Sequence, residues 1–273
     1  MALQLRWNEW EGTGERRAAL VAGRLEGAGS TADDLIIGAA QDVPAKMVLA
    51  LDESVGADGI LTGQDISEPS QLRGKSIAVQ PGFVNHFFLL YVLDSHGLSS
   101  KDVKIVPMEP DKASAAFLSR DVDVAVTWEP HLSEVKNHRQ DGRVLLTTKD
   151  YPDIIVDILV FRNDFINTHS HQVRAFVEAW YDALDFLREN PDESHAIIAA
   201  ALGLKKEEIG GMLKGVKFLG REDNLRYYDK TAKVNVYSIA STASRLWHQE
   251  GYIEHDVDPN ELITASFLAG TSK

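Results

Sequence analysis

The stretch Ser76-Ile77-Ala78-Val79-Gln80-Pro81-Gly82-Phe83-Val84-Asn85-His86 carries the first decision about the fold. It opens as an apolar, β-forming run, Pro81-Gly82 breaks it, and residues 84–96 follow with helical spacing up to Gly97. The pattern then repeats as a strand at 103–106, a helix at 112–119 and a strand at 122–128. Upstream, residues 15–22 and 33–41 have helical spacing, 45–51 is a buried-strand run and 59–62 a short strand. Residues 69–72 read as a turn or brief helix ending near Gly74, and 3–7 as a first strand. Strands alternating with helices of this length predict parallel βαβ units and an α/β class, its sheets mostly parallel and flanked by helices.

From about Asn163 the pattern changes. Residues 172–188, 192–201, 205–213 and 231–250 are helical, and only 154–161 reads as a long strand. No repeat or flexible linker divides the chain. Two domains without a linker are joined by crossing strands, which makes a hinge. The crossings are placed at 59–64 going out and 154–161 coming back. The expected division is a discontinuous first lobe, 1–63 with 155–273, and an inserted second lobe, 64–154.

Composition narrows the function. The 273 residues include 28 Lys+Arg against 41 Asp+Glu, a formal charge of −13. That balance argues against nucleic acid, where basic side chains neutralise phosphates, and against an anionic membrane surface. With no cysteine, disulfide scaffolds, thiolate metal sites and thiol nucleophiles are excluded. No apolar run approaches the roughly 18 residues of a membrane span. The opening Met1-Ala2-Leu3-Gln4-Leu5-Arg6-Trp7 lacks the pattern of a signal peptide, which fits a cytosolic chain or a mature exported one. Dinucleotide, phosphate-loop, nucleophile-elbow and zincin motifs are missing. His169 and His171 form a weak metal pair without a placed third ligand, so no metal, cofactor or catalytic group is assigned.

Several residues could carry ligand chemistry. The loop Pro81-Gly82-Phe83-Val84-Asn85-His86 follows a strand and opens a helix, so its free amides could receive an anion or a polar head; an ordinary βα turn explains it equally. Gly27-Ala28-Gly29-Ser30-Thr31-Ala32-Asp33-Asp34 is a second small-residue corner, where one of Ser30 and Thr31 caps the helix and the other is free for a ligand. Glu129, before Pro130, sits in an extended corner beside Trp128, which could stack on a planar or cationic group or belong to the core. Asp157 interrupts an apolar strand and needs a structural partner or a ligand. The segment 52–59 either lines a cleft or is a solvated turn.

Taken in order, these residues resemble a known family. Leu72-Arg73-Gly74-Lys75-Ser76-Ile77-Ala78-Val79, Gly82, His96-Gly97-Leu98 and Asp102-Val103 resemble a run of the type II periplasmic binding proteins. Ala115-Ala116-Phe117, the stretch 121–130 and the stretch 19–28 are similar to further motifs of that family. The likeness points to the importer group that binds taurine, aliphatic sulfonates, nitrate and thiamine pyrimidine precursors. One departure is Arg120, which stands where the family usually has glycine. Another is the family's first strand and helix, which have no counterpart ahead of 3–10. That implies a truncated or mis-started chain, a replacement element, or a homodimer in which a neighbour supplies the strand.

The resemblance implies a two-lobed, non-enzymatic solute-binding protein of an ABC importer, periplasmic or lipid-anchored, with permease and ATPase partners and no cofactor. Its ligand would lie between the lobes and be captured by hinge closure. By positional match Ser30, Thr31 and Asp34 belong to the first lobe, and Gly82, Phe83, Asn85 and His86 to the second. Trp128 and Glu129 come from the second lobe's last strand, and Asp157 from the returning crossing. Acidic Glu129 and Asp157 suit an amine, amidine, urea or aminopyrimidine better than a bare sulfonate or nitrate. The alternatives are a ligand-sensing module or a biosynthetic enzyme on the same fold, for thiamine pyrimidine or menaquinone. The pyrimidine synthases that resemble this group use a lysine-bound pyridoxal phosphate, and neither Lys46 nor Lys75 has a phosphate loop beside it.

Overall fold

The computed structural model describes residues 12–269. In chain order it contains α1 (Thr13–Val21), β1 (Gly27–Thr31), α2 (Ala32–Ala40), β2 (Ala45–Ser54), β3 (Asp58–Gly63), β4 (Ser76–Val79) and α3 (Val84–Ser95). There follow β5 (Lys104–Pro107), α4 (Pro110–Leu118), β6 (Val124–Trp128), α5 (His131–His138), β7 (Gly142–Thr147) and β8 (Val156–Arg162). The last part holds α6 (Asn163–Thr168), α7 (Ser170–Glu189), α8 (Pro191–Leu202), α9 (Lys206–Met212), β9 (Val216–Phe218), α10 (Arg221–Tyr227) and α11 (Val236–Gln249). The expected strand at 3–7 lies outside the described residues. The helix expected from 231 starts five residues later, because Asn235 caps it by accepting the Ser238 amide at 3.0 Å.

The strands form two sheets, ordered β1-β8-β2-β9 and β5-β4-β6-β3-β7. Both are flanked by helices, as an α/β class requires, but they are mixed rather than mostly parallel. In the first sheet β8 runs antiparallel to both β1 and β2, and β9 antiparallel to β2. An isolated parallel bridge joins Met47 to Ile263. In the second sheet β4 is parallel to β5 and β6, while β3 is antiparallel to β6 and β7. The cause is the returning strand. β1 and β2 do run in the same direction around α2, but β8 inserts between them. β3 was expected in the first lobe, yet all five of its residues from Asp58 to Thr62 pair with β6 in the second sheet.

One large apolar cluster serves both sheets. It contains Ile36, Met47 and Leu49 beside the first sheet and Ile77, Val79, Val124 and Val126 on the second. α3 is apolar nearly all round, and Phe87, Phe88, Leu89, Val92 and Leu93 are buried, as expected of a helix enclosed on every side. A smaller cluster of Leu61, Ala78, Ala125, Phe117 and Val135 fills the other face of the second sheet beneath α4 and α5.

Candidate functional site

Small residues bring the backbone to one place from each sheet. On the first sheet, Gly27-Ala28-Gly29-Ser30-Thr31 forms β1 and turns directly into α2. A Cβ at Gly27 would lie 2.5 Å from the Phe161 ring, so this strand can approach β8 only because it carries almost no side chain there. On the second, Gly82 turns the chain from β4 into α3 at φ +70°, a left-handed conformation that glycine adopts without strain. A cavity of about 240 Å³ lies between these corners. Gly29, Ser30, Thr31, Asp33, Asp34 and Asp157 line it from the first sheet side, Gly82, Phe83 and Val84 from the second, and α1 adds Arg16.

Six of the ten residues expected at a ligand site thus meet at one cavity: Ser30, Thr31, Asp34, Gly82, Phe83 and Asp157. The other four do not line it. Asn85 is fully buried and donates from Nδ2 to the Val126 carbonyl at 3.2 Å, tying α3 to β6. His86 accepts the Gly82 amide at Nδ1, 3.2 Å away, and packs against Trp247 and Tyr252. Burial pushes its pKa down to about 4, which keeps the ring neutral and able to accept. Trp128 backs the cavity wall, its ring 6.0 Å from that of Phe83. Glu129 accepts the Ser133 amide at 3.0 Å and the Ser133 hydroxyl at 2.8 Å, which fixes the first turn of α5.

The electrostatics separate the acidic groups. Asp34 is surrounded: Arg16 reaches it at 2.8 Å, Ser30 donates to it at 2.7 Å, and Arg17 forms a second ion pair. Both arginines are ion-paired to that one carboxylate, and the charge of Arg16 also acts on Asp157. Asp33, the next residue back, is 3% exposed, and its Oδ2 has no hydrogen-bond partner. Burial pushes its pKa up to about 7. Asp157 on β8 is the cross-strand partner of Thr31 on one side and of Asp52 on the other. Asp52 and Asp157 face one another across the strand pair, and burial, then mutual repulsion, raises Asp157 well above the usual carboxylate range. Burial also pushes Asp52 up to about 6.

Asp33, Asp52 and Arg16 had not been singled out as site residues. Asp33 and Asp34 sit side by side in the sequence, and helical geometry alone sends them to different partners. Asp52 falls in the segment read as either cleft lining or solvated turn, but it is the last part of a long strand. Arg16 carried no signal beyond its place on an amphipathic helix. Among the described residues no cluster of His, Asp or Glu has metal-binding geometry.

Comparison with known proteins agrees with this architecture. The chain is 26% identical over 271 residues to the taurine-binding periplasmic protein of Escherichia coli (strain K12), covering 96% of this chain and 83% of that protein. Its fold matches the periplasmic aliphatic sulphonate binding protein SsuA of Escherichia coli with a TM-score of 0.79 at 20% identity, over 98% of this chain and 84% of that one. It also matches the alkanesulfonate-binding protein SsuA of Xanthomonas axonopodis pv. citri bound to MOPS, with a TM-score of 0.73 at 19% identity, covering 94% and 86%. These relatives are binding proteins, and the fold is that of the periplasmic binding proteins. The family model described as NMT1/THI5 like matches residues 2–194, and the chain belongs to that NMT1/THI5-like family.

Proposed function

We propose that this chain is the solute-binding component of an ABC-type importer, working outside the membrane and delivering its solute to a permease and ATPase. The observation that carries this reading is the origin of the cavity walls: Ser30, Thr31 and Asp157 belong to one sheet, Gly82 and Phe83 to the other. A solute held there contacts both, so it stabilises the arrangement in which they are close, which is capture by closure. The two lobes are then 12–57 with 149–269, and 58–148, a division that moves β3 into the inserted lobe.

The solute is small, matching a cavity of about 240 Å³, and carries nitrogen. Asp157 and Asp33 offer acceptors for N–H groups, and Phe83, backed by Trp128, gives an apolar wall. The N-cap residue of α3 makes no side-chain cap, so the first-turn amides other than that of His86, which donates to Asn85 Oδ1 at 3.0 Å, could meet an acidic group at the other end of the solute. A taurine-type molecule, with an amine and a sulfonate, fits that polarity. The role is binding without turnover. Neither lysine considered for cofactor attachment lines the cavity: Lys46 lies in β2, and Lys75 pairs with Asp65 at 3.5 Å.

A thermal-shift panel of taurine, methanesulfonate, nitrate, butylammonium, benzamidinium, urea and an aminopyrimidine tests the reading. At least one nitrogen-bearing compound should raise the melting temperature by several degrees and be recovered unchanged by NMR. Asp157→Ala should weaken that compound roughly tenfold to a hundredfold, the range for losing a hydrogen bond to a charged group. Chemical conversion of the compound, or no stabilisation by any of them, would overturn it.

A further inference from the structure

The solute-site reading leaves one group of side chains without an explanation. Asp33 on α2 and Asp157 on β8 line the inner wall of the cavity, and Asp52 on β2 stands behind Asp157 as its cross-strand partner; among the described residues lining the cavity the one cation, Arg16, is ion-paired to Asp34 and its charge also acts on Asp157. From α1, Arg16 and Arg17 are both bound to Asp34. From β3, Asp58 adds a further carboxyl, held by the Ser54 hydroxyl at 2.6 Å, and burial pushes it up to about 6. Beyond Asp52 on β9 stands Phe218, and the neighbouring Lys217 is turned to Glu53 and Asp223. The loop from β4 to α3 brings no charge except His86, which is neutral and engaged with Gly82. A second observation is independent of this charge count: Asp33 is 3% exposed, lines the cavity, and keeps one oxygen without a partner.

Resting on the reading of this cavity as the solute site, we propose that it takes an organic cation (an ammonium, amidinium or guanidinium) in exchange for a proton shared by Asp52 and Asp157. Two carboxyls facing one another across a strand pair, both partly desolvated, do not readily ionise together, so the site without solute holds one proton between them near neutral pH. The entering cation replaces that proton as the positive charge. The balance is simple: the O–H bond of the shared proton breaks, the proton leaves to solvent, and the cation's N–H groups hydrogen-bond Asp157, with Asp52 ionised behind it. The unpartnered oxygen of Asp33 accepts a further N–H. A neutral urea would leave the shared proton in place, and a bare sulfonate would add negative charge to a wall whose one arginine, Arg16, is already paired with Asp34. Solute class and pH dependence thus come from the same three side chains.

Calorimetry on the whole chain tests this, with butylammonium, benzamidinium and taurine as probes and urea and methanesulfonate as controls. Each is titrated at pH 6 in two buffers of very different ionisation enthalpy. The expected result is binding of at least one cationic probe with release of between one and two protons, the shared one and that of Asp33, whose pKa is about 7. Its affinity should rise by at least tenfold per pH unit between pH 5 and 6 and level off by pH 8, as proton linkage requires. In Asp52→Asn an amide takes the place of the shared proton, so proton release and the pH slope should both fall to what Asp33 alone supplies. Binding of a cationic probe with no proton release, or binding of urea or methanesulfonate alone, overturns the exchange and leaves the solute-binding reading intact. Silence from every probe overturns both.

Discussion

Asp33 and Asp34 are adjacent in the chain and opposite in circumstance. Asp34 receives Arg16, Arg17 and Ser30, so its charge is matched in the fold. Asp33 receives no cation, and burial pushes its pKa up to about 7, against roughly 3.9 for an unfolded aspartate. A folded value above the unfolded one means that the fold tolerates the protonated form and opposes the ionised one. Asp33 therefore contributes no penalty below about pH 4, a growing one from there to pH 7, and a constant one above. Asp33→Asn should raise stability at pH 8 by on the order of 2–4 kcal/mol and leave it nearly unchanged at pH 4. Melting curves of both proteins at the two pH values check this, and a gain of equal size at both would show that Asp33 ionises normally. The sequence pointed to Asp34 and passed over Asp33, because adjacent acidic residues at a helix start look alike until packing assigns the arginines.

At the scale of elements, the turn between β4 and α3 joins backbone geometry to the site. Gly82 has φ +70°, and a Cβ there would lie 2.8 Å from the Tyr252 ring. Gly82→Ala combines left-handed strain of about 1–2 kcal/mol with displacement of a packed aromatic ring, so we expect a loss of about 2–3 kcal/mol. Chemical denaturation measures it, and a loss below roughly 0.5 kcal/mol, the range of surface substitutions, would mean that Tyr252 yields freely. This turn was legible because Pro81-Gly82 punctuates it. Arg120 was legible as a departure, and it does adopt the left-handed conformation, φ +67°, while pairing with Asp141 at 2.7 and 2.8 Å. β1 was not legible. Gly27-Ala28-Gly29-Ser30-Thr31 has no apolar alternation, and it is a strand because β8 offers it a ladder from Phe161 to Asp157. Sheet direction was misread for a related reason. Local βαβ spacing gives the direction of β1 and β2 correctly but contains nothing about β8, more than a hundred residues away, which enters between them.

At the scale of the molecule, the two sheets are not joined by their crossing segments alone. Trp247 on α11 is fully buried, and its ring lies 5.6 Å from His86, 6.0 Å from Phe87 and 4.9 Å from Tyr252. α11 therefore clamps α3, the helix that opens at the site, against the first sheet's side. The apolar cluster runs without interruption from Met47 and Leu49 to Ile77 and Val126. A core shared in this way should make the sheets unfold together, although the strand order divides them. Trp247→Ala removes the largest side chain of the joint, and the loss expected for emptying such a position is about 3–5 kcal/mol. Denaturation followed by tryptophan fluorescence and by circular dichroism should still give one coincident transition, shifted to lower denaturant. Two separated transitions in the variant would mean that the sheets are independent folding units and that Trp247 supplies their coupling. Two transitions in the unaltered chain would refute the shared core itself, and with it the view that a solute held between the sheets stabilises the whole molecule as one body.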